Sequence, residues 1–366
     1  MNRYFFYNFA CVSFMNLMLF VPYVLIQHRY DGTVMSLVIA PVVGTVLLYM
    51  YTSAMSRFPG MGMPDIFRER YPRWFSSMII GGFAIMWWLS SVFVIVAYAI
   101  LINRFFNPDA NTFVILFMLL LACGYAATRS SLTVMFVLEI LLLLNAPFIL
   151  FILVKMLTDT QFNWDAVHVA ANYVVNMPNL SALAAATYIF TGYISMSLYN
   201  RLMPPNFQYK YRYIYPVFGF AVLLATFFIP IGLHGTEAVG QYVYIWSVTA
   251  DSLIMQYGFI ERLLFLFLIV FLNLTLVFTM TAWHQAMEFV KSCLPGGKPE
   301  VDNHRIPVSN YVIIAVFIVF TLAYMFLVNE KENVRYASYW LILRLFVEIL
   351  LVVWIFVLSR RRMDRT

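Results

Sequence analysis

Apolar residues run along this chain in blocks of about 20, separated by short polar stretches rich in arginine, proline and asparagine. A helix rising about 1.5 Å per residue crosses the hydrocarbon layer in one such block. The strictly alternating segments of about ten residues that build a membrane barrel are not the pattern here. The blocks predict ten spanning helices, at roughly 4–26, 33–55, 75–103, 111–128, 132–157, 180–202, 212–233, 259–283, 309–328 and 336–358. The opening residues MNRYFFYNFA read as the start of span 1 rather than a removed signal.

Composition agrees with the pattern. The chain is 63% hydrophobic, 18% aromatic and 11% charged, too little polar surface to coat a soluble domain of 366 residues. A net charge of +6 raises the question of nucleic acid, but the positive charges sit in short loops between spans. Sixteen of the 23 basic side chains fall on the side that carries both termini, six on the other, and Arg344 lies within a span. That bias places both termini in the cytoplasm. The three cysteines, Cys11, Cys123 and Cys293, have no metal or redox spacing. The five histidines sit in loops or at span ends without HxxxH spacing, so no cofactor or metal is expected. With no phosphate loop, GxSxG or paired catalytic carboxylates, an enzyme is not expected.

The loops carry a second regularity. Two connections are long enough for short helices of their own: one between spans 2 and 3, ending at Pro72, and one between spans 7 and 8, from His234 to Gly258. Dividing the chain into five plus five spans puts them at equivalent places on opposite sides. That is the signature of an inverted repeat. The expected architecture is one all-α membrane domain over 1–366, with a first repeat at 4–157 and a second at 180–358. Spans 1 and 6 are then the discontinuous or loosened ones.

Polar residues inside the spans mark the candidate site. Thr191-Gly192 stands at the centre of span 6, and two readings of Gly192 remain open: close helix packing, or a break that faces a ligand. Asn16 is at the centre of span 1, where a midplane amide must find a partner. With Leu17, Ser90, Phe190, Thr191, Gly192, Tyr193 and Asn273 it forms the candidate ligand-binding set, on spans 1, 3, 6 and 8. The serines and threonines of spans 3 and 8 equally suit bonds to their own helix backbone. Glu139 in span 5 reads either as a proton-linked acid or as a paired structural one. Arg344 and Glu348, at i and i+4 in span 10, read as an ion pair neutralised on one helix face.

Four segments in order, NLMLFVP, HRYDG (His28 to Gly32), FPGMGMPDIF and ATYIFTGYISMSLYNR, resemble the spore germination permease family, the B-subunits of nutrient germinant receptors. That family is similar to the amino acid–polyamine–organocation transporters, so the resemblance implies a LeuT-like fold. It also implies a nutrient ligand such as an amino acid, an A-type membrane subunit and a C-type lipoprotein as partners, and the spore inner membrane as location. Three functions follow as alternatives: a nutrient sensor, a secondary transporter of amino acids or amines with Glu139 as its proton-linked group, or a structural subunit with a dead site. The wider superfamily often carries GxGxxxxP in span 1. Counted back from Pro22, the two glycine positions hold Met15 and Leu17. Span 1 is therefore expected to be less unwound, leaving span 6 as the dominant half of the site.

Overall fold

The computed structural model describes residues 2–106, 108–204, 207–254, 261–295, 301–302 and 305–363, with 361–363 as backbone only. Among these residues the elements are helical, apart from an isolated bridge between Ile254 and Arg262. Span 1 is the pair α1 (Asn2–Met18) and α2 (Phe20–Gln27), and span 2 is α3 (Thr33–Met55). The short α4 (Met63–Arg70) follows, then spans 3 to 5 as α5 (Arg73–Phe105), α6 (Thr112–Ala127) and α7 (Ser131–Leu157). After α8 (Trp164–Ala171), span 6 comprises α9 (Leu180–Tyr188), a 3-10 turn over Thr191–Ser195, α10 (Met196–Tyr199) and a second 3-10 turn over Asn200–Leu202. Spans 7 to 10 are α11 (Ile214–Ala238), α13 (Leu263–Cys293), α14 (Val308–Leu327) and α15 (Glu330–Met363), with α12 (Ile245–Asp251) between the first two.

Seven helices are singly long and apolar enough to cross a membrane, and the two bent pairs, spans 1 and 6, qualify as units. The apolar α6, at 16 residues, completes the ten predicted spans. Their starts follow local chemistry. Asn111 and Asn179 each accept a hydrogen bond from a first-turn amide, Phe113 N at 2.9 Å and Ser181 N at 2.8 Å, and so cap α6 and α9. Both predicted loop helices are present, as α4 and α12. A third, α8, was not expected from the sequence. Asn163 caps it, and the Asn163 amide reaches Gly232 O at 2.7 Å, tying α8 to span 7. Spans 3, 8 and 10 run past their predicted ends, to 33, 31 and 34 residues, because charged or mixed flanks continue the helix beyond the apolar block.

The buried centre is α13, wedged between α5 and α7, with Phe267, Phe271 and Trp283 fully enclosed. Tyr98 of α5 donates to Leu268 O at 2.8 Å, using the carbonyl without a polar side chain on the partner. The outer wall is apolar: Val42, Met118, Leu150 and Phe320 all point outward and exposed. A surface of that kind needs lipid around it, and the chain is an integral membrane protein.

Candidate ligand site at the broken spans

Both expected breaks are present, and for different reasons. Span 1 bends by 51° at Leu19, which takes φ −122° and ψ −99°. The cause is Pro22. Its ring has no N–H for the carbonyl of Met18, four residues back, and would collide with it, so α1 stops at Met18 and α2 restarts with proline in its first turn. Span 1 is the less unwound of the two, as expected: its helix is interrupted at one residue, and it still bends. The break lies at Leu19, without glycine at Met15 or Leu17.

Span 6 bends by 59°, and no proline is involved. α9 ends at Tyr188, and the chain tightens into a 3-10 turn from Thr191. Three contacts fix that shape. Ser13 Oγ of span 1 lies 2.7 Å from Ile189 O, taking up a carbonyl released by the break. The Phe190 ring lies in a slot left by two glycines on other spans: a Cβ on Gly44 would be 2.6 Å from the Phe190 Cβ, and one on Gly219 would be 2.7 Å from its Cε1. Gly192 faces span 1, where an added Cβ would sit 2.4 Å from Phe9 Cα and 3.0 Å from Asn8 O. The two broken spans therefore touch backbone to backbone at this glycine.

Span 10 supplies the charge. Arg344, 5% exposed, donates from Nη2 to Ala184 O and to Thr187 Oγ1 (3.1 Å), and from Nη1 to Thr191 Oγ1 (2.9 Å) and to Glu348. Its guanidinium also lies 4.9 Å from the centre of the Tyr188 ring. Glu348, 3% exposed, accepts from Thr191 Oγ1 at 3.1 Å and from the Tyr193 hydroxyl. The placement follows the helix dipoles. A cation sits at the C-terminal end of α9, the first half of span 6, where carbonyls are unpaired, and an anion sits at the N-terminal end of the second half. The i,i+4 pair expected on one helix face is present, and that face turns toward span 6. It bridges span 10 to both halves of span 6.

Beside the pair lies a cavity of about 40 Å³ between spans 3, 6 and 10, walled by Trp87, Tyr188, Trp340 and Ile194 together with Arg344 and Glu348. Two buried N–H donors on its lining residues, Arg344 Nε and Trp340 Nε1, have no partner. A larger cavity of about 610 Å³, lined by Tyr23, Arg104, Glu330, Lys331, Arg335 and Tyr339, adjoins the N-terminal part of span 10. Trp340 lies between the two along α15, with its ring 5.3 Å from Tyr188 and 6.2 Å from Phe93. The opposite side is closed by buried charge: Arg201 grips Asp65 of α4 through two bonds (2.8 and 3.1 Å) and lies 3.7 Å from Glu288, itself 2.9 Å from Lys291. Asn200 donates to Phe58 O and Met61 O at 2.7 and 2.8 Å, seating the end of span 6 on the loop before α4.

The structure brings only part of the candidate set together. Thr191 and Tyr193 hold the ion pair. Ser90 donates to Trp87 O at 2.6 Å, within its own helix, and Asn16 likewise to Val12 O at 2.8 Å. Leu17 is buried near the break of span 1. Asn273 lies elsewhere, donating to Asn145 on span 5 at 3.2 Å. Glu139 pairs with Arg3 at 3.4 Å, at the start of span 1, and its other carboxylate oxygen is buried without a partner. The residues that sequence reasoning left out of the site are Ser13, Trp340, Arg344 and Glu348. For the last two the signal was present, since an intramembrane charge is costly enough to need a local reason.

No protein-family model matches the chain, and no curated protein sequence matches it. Solved structures do. A nucleobase-cation-symport-1 family transporter, in a closed conformation with bromovinylhydantoin bound, superposes with a TM-score of 0.55 at 12% identity, covering 90% of this chain and 73% of that one. This chain has the five-plus-five transporter fold. A Na+-coupled sialic acid symporter in a substrate-bound outward-open state aligns with a TM-score of 0.47 at 13% identity, covering 87% and 72%. At 12% identity the first likeness shows the inverted-repeat fold alone; that spans 1 and 6 are the bent pairs is seen in this chain itself.

Proposed function

We propose that the chain is a permease of the secondary-transporter type, binding a small amino-acid-like solute where spans 3, 6 and 10 meet. The observation that carries this is the buried Arg344–Glu348 pair set against the break of span 6, beside a cavity that both side chains help to line. A purely structural ion pair in a membrane is costly to keep, and a broken span beside it adds backbone groups that a ligand can use. Thr191 and Tyr193, with Ser90 on the facing span, are proposed to meet the solute. Phe190 and Gly192 shape the break, and Asn16 and Leu17 flank it. Asn273 supports spans 5 and 8. Glu139 is the candidate for proton coupling, on the strength of its unpartnered buried oxygen.

The order of sequence motifs supports a second reading. In it the chain is the B-subunit of a nutrient germinant receptor in the spore inner membrane, with both termini cytoplasmic and an A-type subunit and a C-type lipoprotein as partners. The bound nutrient then biases a conformational equilibrium in place of crossing the membrane. Reconstituted vesicles separate the two. Saturable accumulation of labelled amino acid supports the permease, and saturable binding without accumulation supports the sensor. Neither binding nor accumulation would overturn both.

A further inference from the structure

We propose that the cavity at the start of span 3 binds the headgroup of an anionic phospholipid, with Arg68 and Arg73 holding the phosphate and the outer face of α5 carrying an acyl chain. The site is separate from the span 10 ion pair and does not depend on the solute-binding reading.

The local sequence builds the cavity. α4 ends at Arg70 and α5 begins at Arg73, with only Tyr71 and Pro72 between them, so the last turn of one helix and the first turn of the next share a rim. The space there is about 500 Å³, an ordinary volume for a small-molecule site. Arg68, Arg73, Trp74 and Ser77 line it together with Cys293 and Leu294 at the end of α13. Cys293 donates to Ser77 O at 3.4 Å and joins the two walls. Among the described lining residues Arg68 and Arg73 are the only charged ones; Glu69, next in sequence to Arg68, does not line the cavity. Neither arginine is paired with an acidic side chain among the described residues. Two uncompensated guanidinium groups on one rim repel each other, and a phosphate between them relieves that repulsion while matching their planar forks.

The surroundings point to a lipid as the source of that phosphate. Trp74 on the rim is 70% exposed. Beside it the Tyr71 hydroxyl accepts from Trp354 Nε1 at 2.8 Å, and the Tyr71 and Phe75 rings pack against Trp354 at 5.7 and 6.0 Å. Tryptophan and tyrosine gather at the headgroup level of a bilayer, so the cavity opens at the depth of the lipid phosphates. From there α5 presents Trp74, Met78, Gly82 and Ile85 along one face, at i, i+4, i+8 and i+11. The three side chains are exposed, and a Cβ added to Gly82 would meet nothing within 4 Å. The result is a shallow apolar channel leading from the arginines into the hydrocarbon layer. A free phosphate engages only the arginines, whereas an anionic lipid engages both the arginines and the channel.

The test is native mass spectrometry of the purified full chain in detergent, titrated with dioleoyl phosphatidylglycerol, dioleoyl phosphatidylcholine or glycerol 3-phosphate. The chain is expected to retain phosphatidylglycerol in preference to the other two. An arginine at a membrane surface contributes about fivefold to the binding of an anionic lipid, so the double variant Arg68→Gln, Arg73→Gln should bind phosphatidylglycerol about 30-fold more weakly. Arg129→Gln, which removes the same charge on the same side but outside the cavity, should keep the wild-type affinity. Equal retention of the two phospholipids would overturn the proposal, and that comparison needs no variant. So would unchanged affinity in the double variant, or an equal loss in Arg129→Gln, which would make the effect one of overall surface charge. Glycerol 3-phosphate bound as tightly as phosphatidylglycerol would assign the cavity to free phosphate and overturn the lipid as its source. A dimer that forms in place of the lipid-bound monomer would give the α5 face to a second copy of the chain and overturn it as well.

Discussion

Removing one partner of the span 10 ion pair should cost far more than removing both. Arg344→Met strips Glu348 of its cation and leaves a carboxylate that is 3% exposed, held only by the Thr191 and Tyr193 hydroxyls. An unbalanced buried charge of this kind typically costs about 3–5 kcal/mol. Glu348→Leu should cost a similar amount, because Arg344 keeps its bonds to Ala184 O, Thr187 and Thr191 but loses its counter-charge. In the double variant both charges are gone. What remains is the loss of donors to one carbonyl and two hydroxyls, about 1 kcal/mol each, partly offset by apolar packing against Trp340 and Tyr188. The double variant is therefore expected within about 2 kcal/mol of wild type, against a sum of single effects of about 6–10 kcal/mol. Reversible unfolding of the detergent-solubilised chain with increasing sodium dodecyl sulfate measures all four proteins. Single effects that add in the double variant would refute the coupling and the electrostatic account of the span 6 break.

Gly192→Ala should destabilise the chain by about 1–3 kcal/mol in the same unfolding assay, because the neighbouring atoms at 2.4 and 3.0 Å are backbone and cannot rotate away. A wild-type midpoint would mean the two broken spans do not pack as described. Larger substitutions there report on packing before they report on ligand. Asp65→Asn should loosen the closed side by weakening the Arg201 fork, read as faster thiol labelling of a cysteine placed at the buried Ser197. Unchanged labelling would show that Asn200 and the surrounding packing hold that side shut alone. Glu139→Gln should change stability by less than about 1 kcal/mol, since Arg3 is largely exposed and screened. If the variant also keeps the wild-type pH profile of uptake, Glu139 is not the proton-linked group.

The architecture was legible because its main determinants are local. Apolar block length gave the spans, and the paired loops gave the helices α4 and α12. Thr191-Gly192 marked the break in span 6, where a weak helix former meets a hydroxyl. The break in span 1 was expected to be weaker because glycine was taken as its cause. It is the shorter of the two, one residue at Leu19, and Pro22 accounts for its place. The site itself was less legible. Whether Asn273 faces a ligand or Asn145 depends on helix rotation, which periodicity does not set in a span that is apolar on every side. The i,i+4 spacing of Arg344 and Glu348 already satisfies a local explanation, so nothing in the sequence demanded that they reach span 6. α8 escaped notice although it is no shorter than α4 and α12, because the connection between spans 5 and 6 joins the two halves and has no counterpart in the repeat to mark it.

The most direct test of the central claim is equilibrium binding of labelled L-alanine and L-leucine to purified wild type and to the Arg344→Gln variant, side by side. The account predicts saturable binding of at least one of the two to wild type and a loss of at least about 100-fold in the variant. Saturable binding of the same strength in both proteins would place the ligand away from the broken span and contradict it.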